Sequence, residues 1–135
     1  MKLIKFICSL VVVLLVTSAF TPKDHNQKGV YIVGVSASFT DSLIYFTDVQ
    51  FVEGAKMKKK LLYMREFYSA QLKDYLEFKE GLTNRTCFVY FSDDQKKLNK
   101  KINKMKIRYQ KGDKLLIRQV NPNAFAFTNP ENEVN

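Results

Sequence analysis

The sequence predicts one small α/β domain of the α+β kind, a two-layer mixed sheet with the element order β-β-α-β-α-β. Three observations lead to this fold class. Apolar and polar residues alternate between residues 29 and 51, and helical spacing of apolar residues begins near residue 64 and recurs at 93–111, with an apolar run between the two helices. A strand, a long helix and another strand in series are normally joined by a right-handed parallel crossover. The domain is expected to span residues 29–128.

The first nineteen residues have the pattern of an export signal. Lys2 and Lys5 precede an apolar stretch at residues 6–16, and small residues end the segment at Ala19. A membrane-spanning helix needs about twenty apolar residues, more than this stretch has. We expect cleavage near Ala19, a periplasmic or extracellular location, and no transmembrane segment in the mature chain; an uncleaved interfacial anchor is the alternative.

The mature chain has little with which to build a disulfide or a histidine-based active site. Cys8 lies in the signal segment, so Cys87 is the only cysteine that remains after cleavage, and it can pair only with another chain. Residues 20–28 are polar, contain Pro22 and show no periodicity, which predicts a flexible linker. The single histidine, His25, falls in that linker, where no fold would position it for catalysis.

The domain is predicted to begin with an antiparallel hairpin. Residues 29–39 are rich in β-branched and aromatic side chains, and residues 43–51 continue the alternation after the turn residues at 40–42. From Met64 the spacing becomes helical, with Tyr68, Leu72 and Leu76 on one face, and Gly81 marks the helix end.

Two strands are predicted in the second half, and a third, shorter one is optional. Residues 86–91 are almost wholly apolar, which is typical of a strand in the middle of a sheet. Residues 114–120 form another strand, and 124–128 a short edge element. Residues 129–135 are polar and are expected to fray as a tail.

Residues 93–111 are predicted to form a basic amphipathic helix. Ser92 and Gln95 fit a capping box, and Gly112 supplies a stop. The apolar stripe that should pack on the sheet consists of Leu98, Ile102, Met105 and Tyr109.

This helix carries most of the charge. Its net charge is +6, whereas the rest of the mature chain is only +1. The candidate anion-binding residues are Lys96, Lys97, Lys100, Lys101, Lys104, Arg108 and Lys111. A second basic run, Lys56, Lys58, Lys59 and Lys60, is a candidate extension of this surface. A lysine-rich outer face is, however, most often simply solvated.

No catalytic, cofactor-binding or metal-binding residues are predicted. The five glycines do not form a phosphate-binding spacing, and the chain has no Cys/His cluster for zinc. Asp93 and Asp94 are explained by the helix start, where the dipole favours anions. No aromatic residue lies among the lysines to stack a base, so we expect no specific nucleic acid. A hidden enzyme site would most readily lie around Ser36, Ser38 and Asp48.

Two resemblances follow from short stretches of sequence. GVYIVG at residues 29–34 resembles the opening of the GIY-YIG nucleases, although residues 43–51 contain no glycine for the second motif, so no catalytic residue is carried over. The export signal together with residues 29–50, 68–77 and 84–91 resembles a family of short exported proteins of Gram-negative anaerobic bacteria that has no assigned activity. That resemblance implies an exported single domain and no site residue.

Three functional hypotheses remain from the sequence. The first is an exported non-enzymatic domain that contacts a protein partner, such as an envelope accessory factor. The second is a binder of an anionic polymer or membrane surface, an anionic envelope component, through the basic helix at 93–111. A GIY-YIG-like nuclease is a remote third.

Overall fold

The computed structural model describes residues 28–112 and 115–133. The predicted signal segment at 1–19, His25 and nearly all of the linker at 20–28 lie outside the described residues. The helices are α1 (Arg65–Phe78) and α2 (Gln95–Gly112), and a 3-10 turn occupies Pro130–Glu133. The strands are β1 (Gly29–Ala37), β2 (Leu43–Phe46), β3 (Gln50–Glu53), β4 (Met57–Lys58), β5 (Leu61–Leu62), β6 (Thr86–Ser92) and β7 (Leu116–Gln119).

The main sheet is built around β1. On one side β1 pairs antiparallel with β6, and on the other side it pairs antiparallel with both β2 and β3. β7 pairs with β2 in parallel. These directions make β6 parallel to β7, so the strands joined by α2 run in parallel as predicted. The small domain with two helices and a mixed sheet is therefore confirmed.

The predicted second strand at 43–51 is broken into β2 and β3. Thr47, which is only 2% exposed, lies at the break. Its Oγ1 accepts a hydrogen bond of 2.8 Å from the Gly34 amide, and its own amide donates to the Gly34 carbonyl at 2.9 Å. Because the Thr47 side chain takes the place of a backbone acceptor, the ladder is interrupted there and resumes at Gln50.

The domain has three layers, so the predicted two-layer arrangement is wrong. Ile32 belongs to the apolar cluster under α1, whereas its neighbour Val33 belongs to the cluster under α2. Leu72 of α1 and Leu98 of α2 are almost fully buried in these two clusters. Since β1 is apolar on both of its faces, each face needs its own helix to exclude water.

β6 lies at an edge of the sheet and not in its middle, which corrects another prediction. Among the described strands it pairs only with β1. Its side chains alternate between the two clusters, with Val89 under α1 and Phe88 beside α2. The apolar run thus reflects two covered faces, which do not require a neighbouring strand on both edges.

The helix ends differ partly from the expectation. Gly81 has a φ of 68° and Leu82 N donates to Leu76 O at 2.8 Å, which confirms the predicted end of α1. The predicted cap of α2 is wrong by two residues. Oδ1 of Asp94, and not the side chain of Ser92, accepts the amides of Lys96 and Lys97 at the first turn, at 2.9 and 3.3 Å.

The C-terminal segment is ordered without forming the predicted strand at 124–128. Two glutamine side chains hold it: Gln50 accepts the Phe127 amide at 2.8 Å, and Gln71 both accepts from and donates to the Thr128 backbone. The tail predicted to fray from residue 129 is packed as far as the 3-10 turn, since Asn129 and Pro130 are buried. Side-chain amides thus take over the role of a neighbouring strand.

Candidate functional site

All seven candidate anion-binding residues lie on the exposed side of α2. Leu98 and Ile102 are 1% and 3% exposed and anchor the opposite side of the helix in the core. We call the exposed set the basic face; its members are Lys96, Lys97, Lys100, Lys101, Lys104, Arg108 and Lys111. Residues three and four apart on a helix lie about 5–6 Å from each other, so these cations form a continuous surface.

A pocket of about 320 Å³ opens between α2 and β6. Its lining combines three cations of the basic face with two tyrosines and a methionine: Tyr90, Lys101, Lys104, Met105, Arg108 and Tyr109. The Lys101 Nζ lies 5.1 Å from the centre of the Tyr90 ring, within the range of a cation-π contact. Burial, and secondarily the neighbouring Tyr109, raises the pKa of Tyr90, so its hydroxyl stays protonated and can donate.

The tyrosines of this pocket correct the expectation that no aromatic residue lies among the lysines. Tyr109 was predicted as part of the core stripe, and its ring is 6.4 Å from that of Phe46 while its edge reaches the pocket. Tyr90 is brought in by β6, nineteen residues earlier in the chain. The alternation in residues 86–92 predicts that Tyr90 and Phe88 share a face of the sheet. It does not predict that β6 is an edge strand, and this position places Tyr90 beside the lysines of α2.

The second basic run does not join the basic face. Lys58 lies in the β4–β5 hairpin, and the flanking Ala55 and Leu62 are buried in the cluster on the α1 side of the sheet. The Lys58 Nζ is 3.8 Å from the centre of the Tyr63 ring, and Lys56 pairs with Glu131 at 3.5 Å. A separate pocket of about 390 Å³ lies here, between the hairpin and the start of α1. The two basic regions are thus on different sides of the molecule.

A buried arginine that sequence reasoning missed lies on the α1 side of the sheet. Arg85 is 5% exposed, and its Nε donates to Ser36 Oγ at 2.9 Å while Nη1 donates to Asp41 Oδ2 at 2.8 Å. Nη2 donates to the carbonyls of Ser36 and Leu43, and the guanidinium lies 4.8 Å from the Tyr45 ring centre. Every branch of the guanidinium is occupied, so this group clamps the β1–β2 turn to the start of β6 and is not available to a ligand.

The proposed hidden site around Ser36, Ser38 and Asp48 is not assembled. Ser36 is fully buried under Arg85, while Ser38 bonds with Thr40 in the exposed turn. Asp48 accepts from the Gln50 side chain instead. These three residues therefore do not converge on a common pocket.

Cys87 is half-buried opposite Ser36 on the neighbouring strand. Burial raises the pKa of the Cys87 thiol, and this outweighs the opposing influence of Ser36 and of the Arg85 charge. A thiol with a raised pKa is a poor nucleophile at neutral pH. The environment is that of a small core residue.

The residues that carry the GIY-YIG resemblance have packing roles. A Cβ on Gly34 would come within 2.7 Å of Leu72 and 2.8 Å of Phe127, so the glycine allows α1 and the C-terminal segment to approach the sheet. The Tyr31 ring packs 5.0 Å from the Phe51 ring. Packing in the sheet therefore explains the glycine and the tyrosine of the GVYIVG stretch at residues 29–34.

Neither a membrane-spanning helix nor a metal-binding cluster occurs in the part of the chain that the structure describes. No helix in 28–112 or 115–133 is long and apolar enough to cross a membrane. Over the same residues, no three His, Cys, Asp or Glu side chains cluster as a metal site would need. Oδ1 of Asp94 is already engaged by the first turn of α2.

Fold and surface together define a small three-layer domain with one basic, tyrosine-lined face. Comparison of the chain with protein-family models, with curated proteins and with solved structures found no match. The proposal of a function therefore rests on the geometry of this face.

Proposed function

We propose that the protein is an exported binding module that holds an anionic component of the cell envelope against the basic face of α2. The observation that carries this proposal is the pocket in which Lys101, Lys104 and Arg108 meet Tyr90 and Tyr109. A lining of cations beside aromatic rings offers an anion both opposite charge and apolar contact area. This lining favours the binding of a particular class of anion over the alternative that the lysines are only hydrated.

The spacing of the charges favours this use. At physiological ionic strength the screening length is about 8 Å, longer than the 5–6 Å between the Cβ atoms of residues one turn apart, so the potentials of neighbouring cations overlap. Within α2 no acidic side chain offsets them, because Asp93 and Asp94 precede the helix. A polyanion therefore meets a concentrated potential on one side of the domain.

The same spacing has a cost in stability. Like charges at i and i+4 of a helix destabilise it by about 0.2–0.5 kcal/mol per pair. Lys97 and Lys101, and Lys100 and Lys104, are such pairs. If the face were only a solubilising surface, interspersed acids would serve as well and would avoid this repulsion.

Replacement of Lys97, Lys100, Lys101 and Lys104 by Gln tests the proposal. Binding of the purified protein to fluorescent poly-L-glutamate, to heparin and to anionic phospholipid vesicles is measured over a range of salt concentrations. We expect the wild type to bind at least one of these polyanions with an affinity that falls steeply with salt, and the quadruple variant to lose that binding. Because repulsion is relieved, the variant should also be more stable at low salt, by about 1 kcal/mol.

The second basic run provides a charge-matched control. Replacement of Lys56, Lys58, Lys59 and Lys60 by Gln removes the same charge from the opposite side of the molecule. This control should retain binding. Equal loss in both variants would mean that net charge alone attracts polyanions, and unchanged binding in the first variant would refute a role for the basic face.

A further inference from the structure

The backbone of β6 has a definite orientation that follows from the contacts of β1. Gly34 directs both its N–H and its C=O toward Thr47, on the β2 side of β1. Because successive residues of a strand direct these groups to opposite edges, Val33 and Val35 direct theirs toward β6. Their partners in the register, Tyr90 and Phe88, therefore use their backbone groups to pair with β1.

The alternate residues of β6 consequently present their backbone outward. These residues are Cys87, Val89 and Phe91, and within the described residues no strand pairs with that edge. The strand is seven residues long, contains no proline and is almost wholly apolar. An edge of this kind is a template for the addition of another strand.

The basic face lies beside this edge. Tyr90 of β6 lines the same pocket as Lys101, Lys104 and Arg108, which α2 presents along the strand. A strand added to β6 would direct every second side chain toward the α2 side of the sheet. Side chains placed there would lie next to three cations, so acidic residues at alternate positions would complement them.

We propose that β6 and the basic face together bind an extended acidic segment of a partner protein, which adds to the sheet as a strand next to β6. This inference rests on the proposed function of the basic face and names the class of its partner. The backbone groups of Cys87, Val89 and Phe91 supply affinity for any extended chain. Lys101, Lys104 and Arg108 then select a chain with acidic residues at alternate positions.

Charge favours this occupant over a second copy of the same chain. Two copies paired through β6 would bring two basic faces close together, and the repulsion would oppose association. A lipid headgroup or a glycan could meet the cations, but neither offers a backbone with the strand repeat that would pair with three alternate residues of β6. An acidic extended segment meets both requirements.

Three synthetic peptides test strand addition without altering the protein. The first is a ten-residue peptide that alternates Glu and Thr. The other two have the same sequence but are N-methylated at alternate backbone amides, one at the odd-numbered residues and the other at the even-numbered residues. Methylation removes the donors needed for pairing but keeps all charges. We expect the unmodified peptide to bind in a salt-dependent manner, and one of the two methylated peptides to bind at least about tenfold more weakly, since several backbone hydrogen bonds are lost.

Amide hydrogen exchange of the full-length protein locates the contact. In the free protein the amides of Cys87, Val89 and Phe91 should exchange faster than those of Phe88 and Tyr90, which are bonded to β1. Saturating unmodified peptide should slow the first three selectively. Protection of these three without peptide, increasing with protein concentration, would indicate a second copy of the chain and overturn the proposal.

The two proposals can fail separately. If both methylated peptides bind as tightly as the unmodified peptide, strand addition is overturned and the binding role of the basic face stands. The same holds if no peptide binds while heparin or vesicles do. If binding of every probe is indifferent to the quadruple Lys→Gln substitution, the proposed function itself fails. If the peptides protect the amides of β6 in that variant as well as in the wild type, the selection of acidic segments by the basic face is refuted.

Discussion

Arg85→Lys should destabilise the domain although it keeps the positive charge. The guanidinium bonds at once to Ser36 Oγ, the Ser36 carbonyl, the Asp41 carboxylate and the Leu43 carbonyl. An ammonium group is a single point with three donors and cannot reach all four positions, which are arranged for a planar fork. Three donors cannot serve four acceptors, so at least one of them would lose this partner, and Ser36, which supplies two of the four, is fully buried.

The expected cost follows from these lost partners. A buried polar atom left without a hydrogen bond costs about 1–3 kcal/mol, so the loss of one such bond gives about 2 kcal/mol. With a urea m value of about 1.5 kcal/mol/M, the midpoint of unfolding should fall by about 1.3 M. The m value should stay unchanged if the unfolded state is unaffected.

Arg118→Lys is the matched control for this measurement. Arg118 lies on β7 with an exposed side chain, and a surface exchange of this kind usually changes stability by less than about 0.5 kcal/mol. Urea unfolding is followed by circular dichroism for both variants and the wild type. If Arg85→Lys unfolds at the same urea concentration as Arg118→Lys, the clamp does not stabilise the fold and this reasoning is refuted.

Four further predictions concern the fold and the export signal. Gly34→Ala should lower the free energy of unfolding, measured in urea, by about 1–3 kcal/mol, because its Cβ would lie 2.7 Å from Leu72. A loss of less than about 0.5 kcal/mol would contradict this packing. The backbone amide of Leu43 and the nearby Arg85 guanidinium hold the pKa of Asp41 below its ordinary value, so its contribution to stability is present above that ordinary value and is lost as the pH falls through the lowered pKa. The stability difference between wild type and Asp41→Asn should accordingly shrink on acidification, and a gap that widens would be inconsistent. Gln71→Leu should cost about 1 kcal/mol and speed limited proteolysis of residues 121–133, whereas unchanged cleavage would show that other contacts suffice. Intact-mass analysis of the protein purified from the cells that make it should give a chain that begins at Phe20 if the predicted signal is cleaved, and a retained Met1 would argue against cleavage.

Elements that follow from a regular spacing of apolar residues or from a local end signal could be predicted from the sequence. Leu98, Ile102, Met105 and Tyr109 recur at helical spacing, and they do form the buried stripe of α2. The stop at Gly81 also follows from local chemistry, because glycine adopts the φ of 68° found there without the steric cost that a Cβ brings.

Features that depend on distant partners could not be predicted. An apolar strand looks the same whether its neighbours are strands or covering helices, so β6 was expected in the middle of the sheet. Thr47 gives no local sign that its hydroxyl will replace a backbone acceptor, and this divided the predicted second strand. The third layer follows from the same ambiguity, since alternation shows that a face is buried but not what covers it.

Only part of the candidate site could be predicted from the sequence. The basic face follows from charge and helical periodicity alone, and its residues are exposed as the helical wheel indicates. Tyr90 joins it only through the sheet register, and Arg85 forms its clamp with residues more than forty positions away. The signal for Arg85 was weak, because a lone arginine before a strand is ordinarily a surface residue.

Site-specific photocrosslinking in the native envelope tests the central claim most directly. A photoreactive amino acid is introduced at Lys100 on the basic face or at Lys59 on the opposite side, and the adducts formed in cells are compared. The account predicts a discrete adduct from position 100 that high salt abolishes during crosslinking of isolated envelopes, and none from position 59. Adducts of equal yield from both positions, or an adduct from position 59 alone, would contradict it.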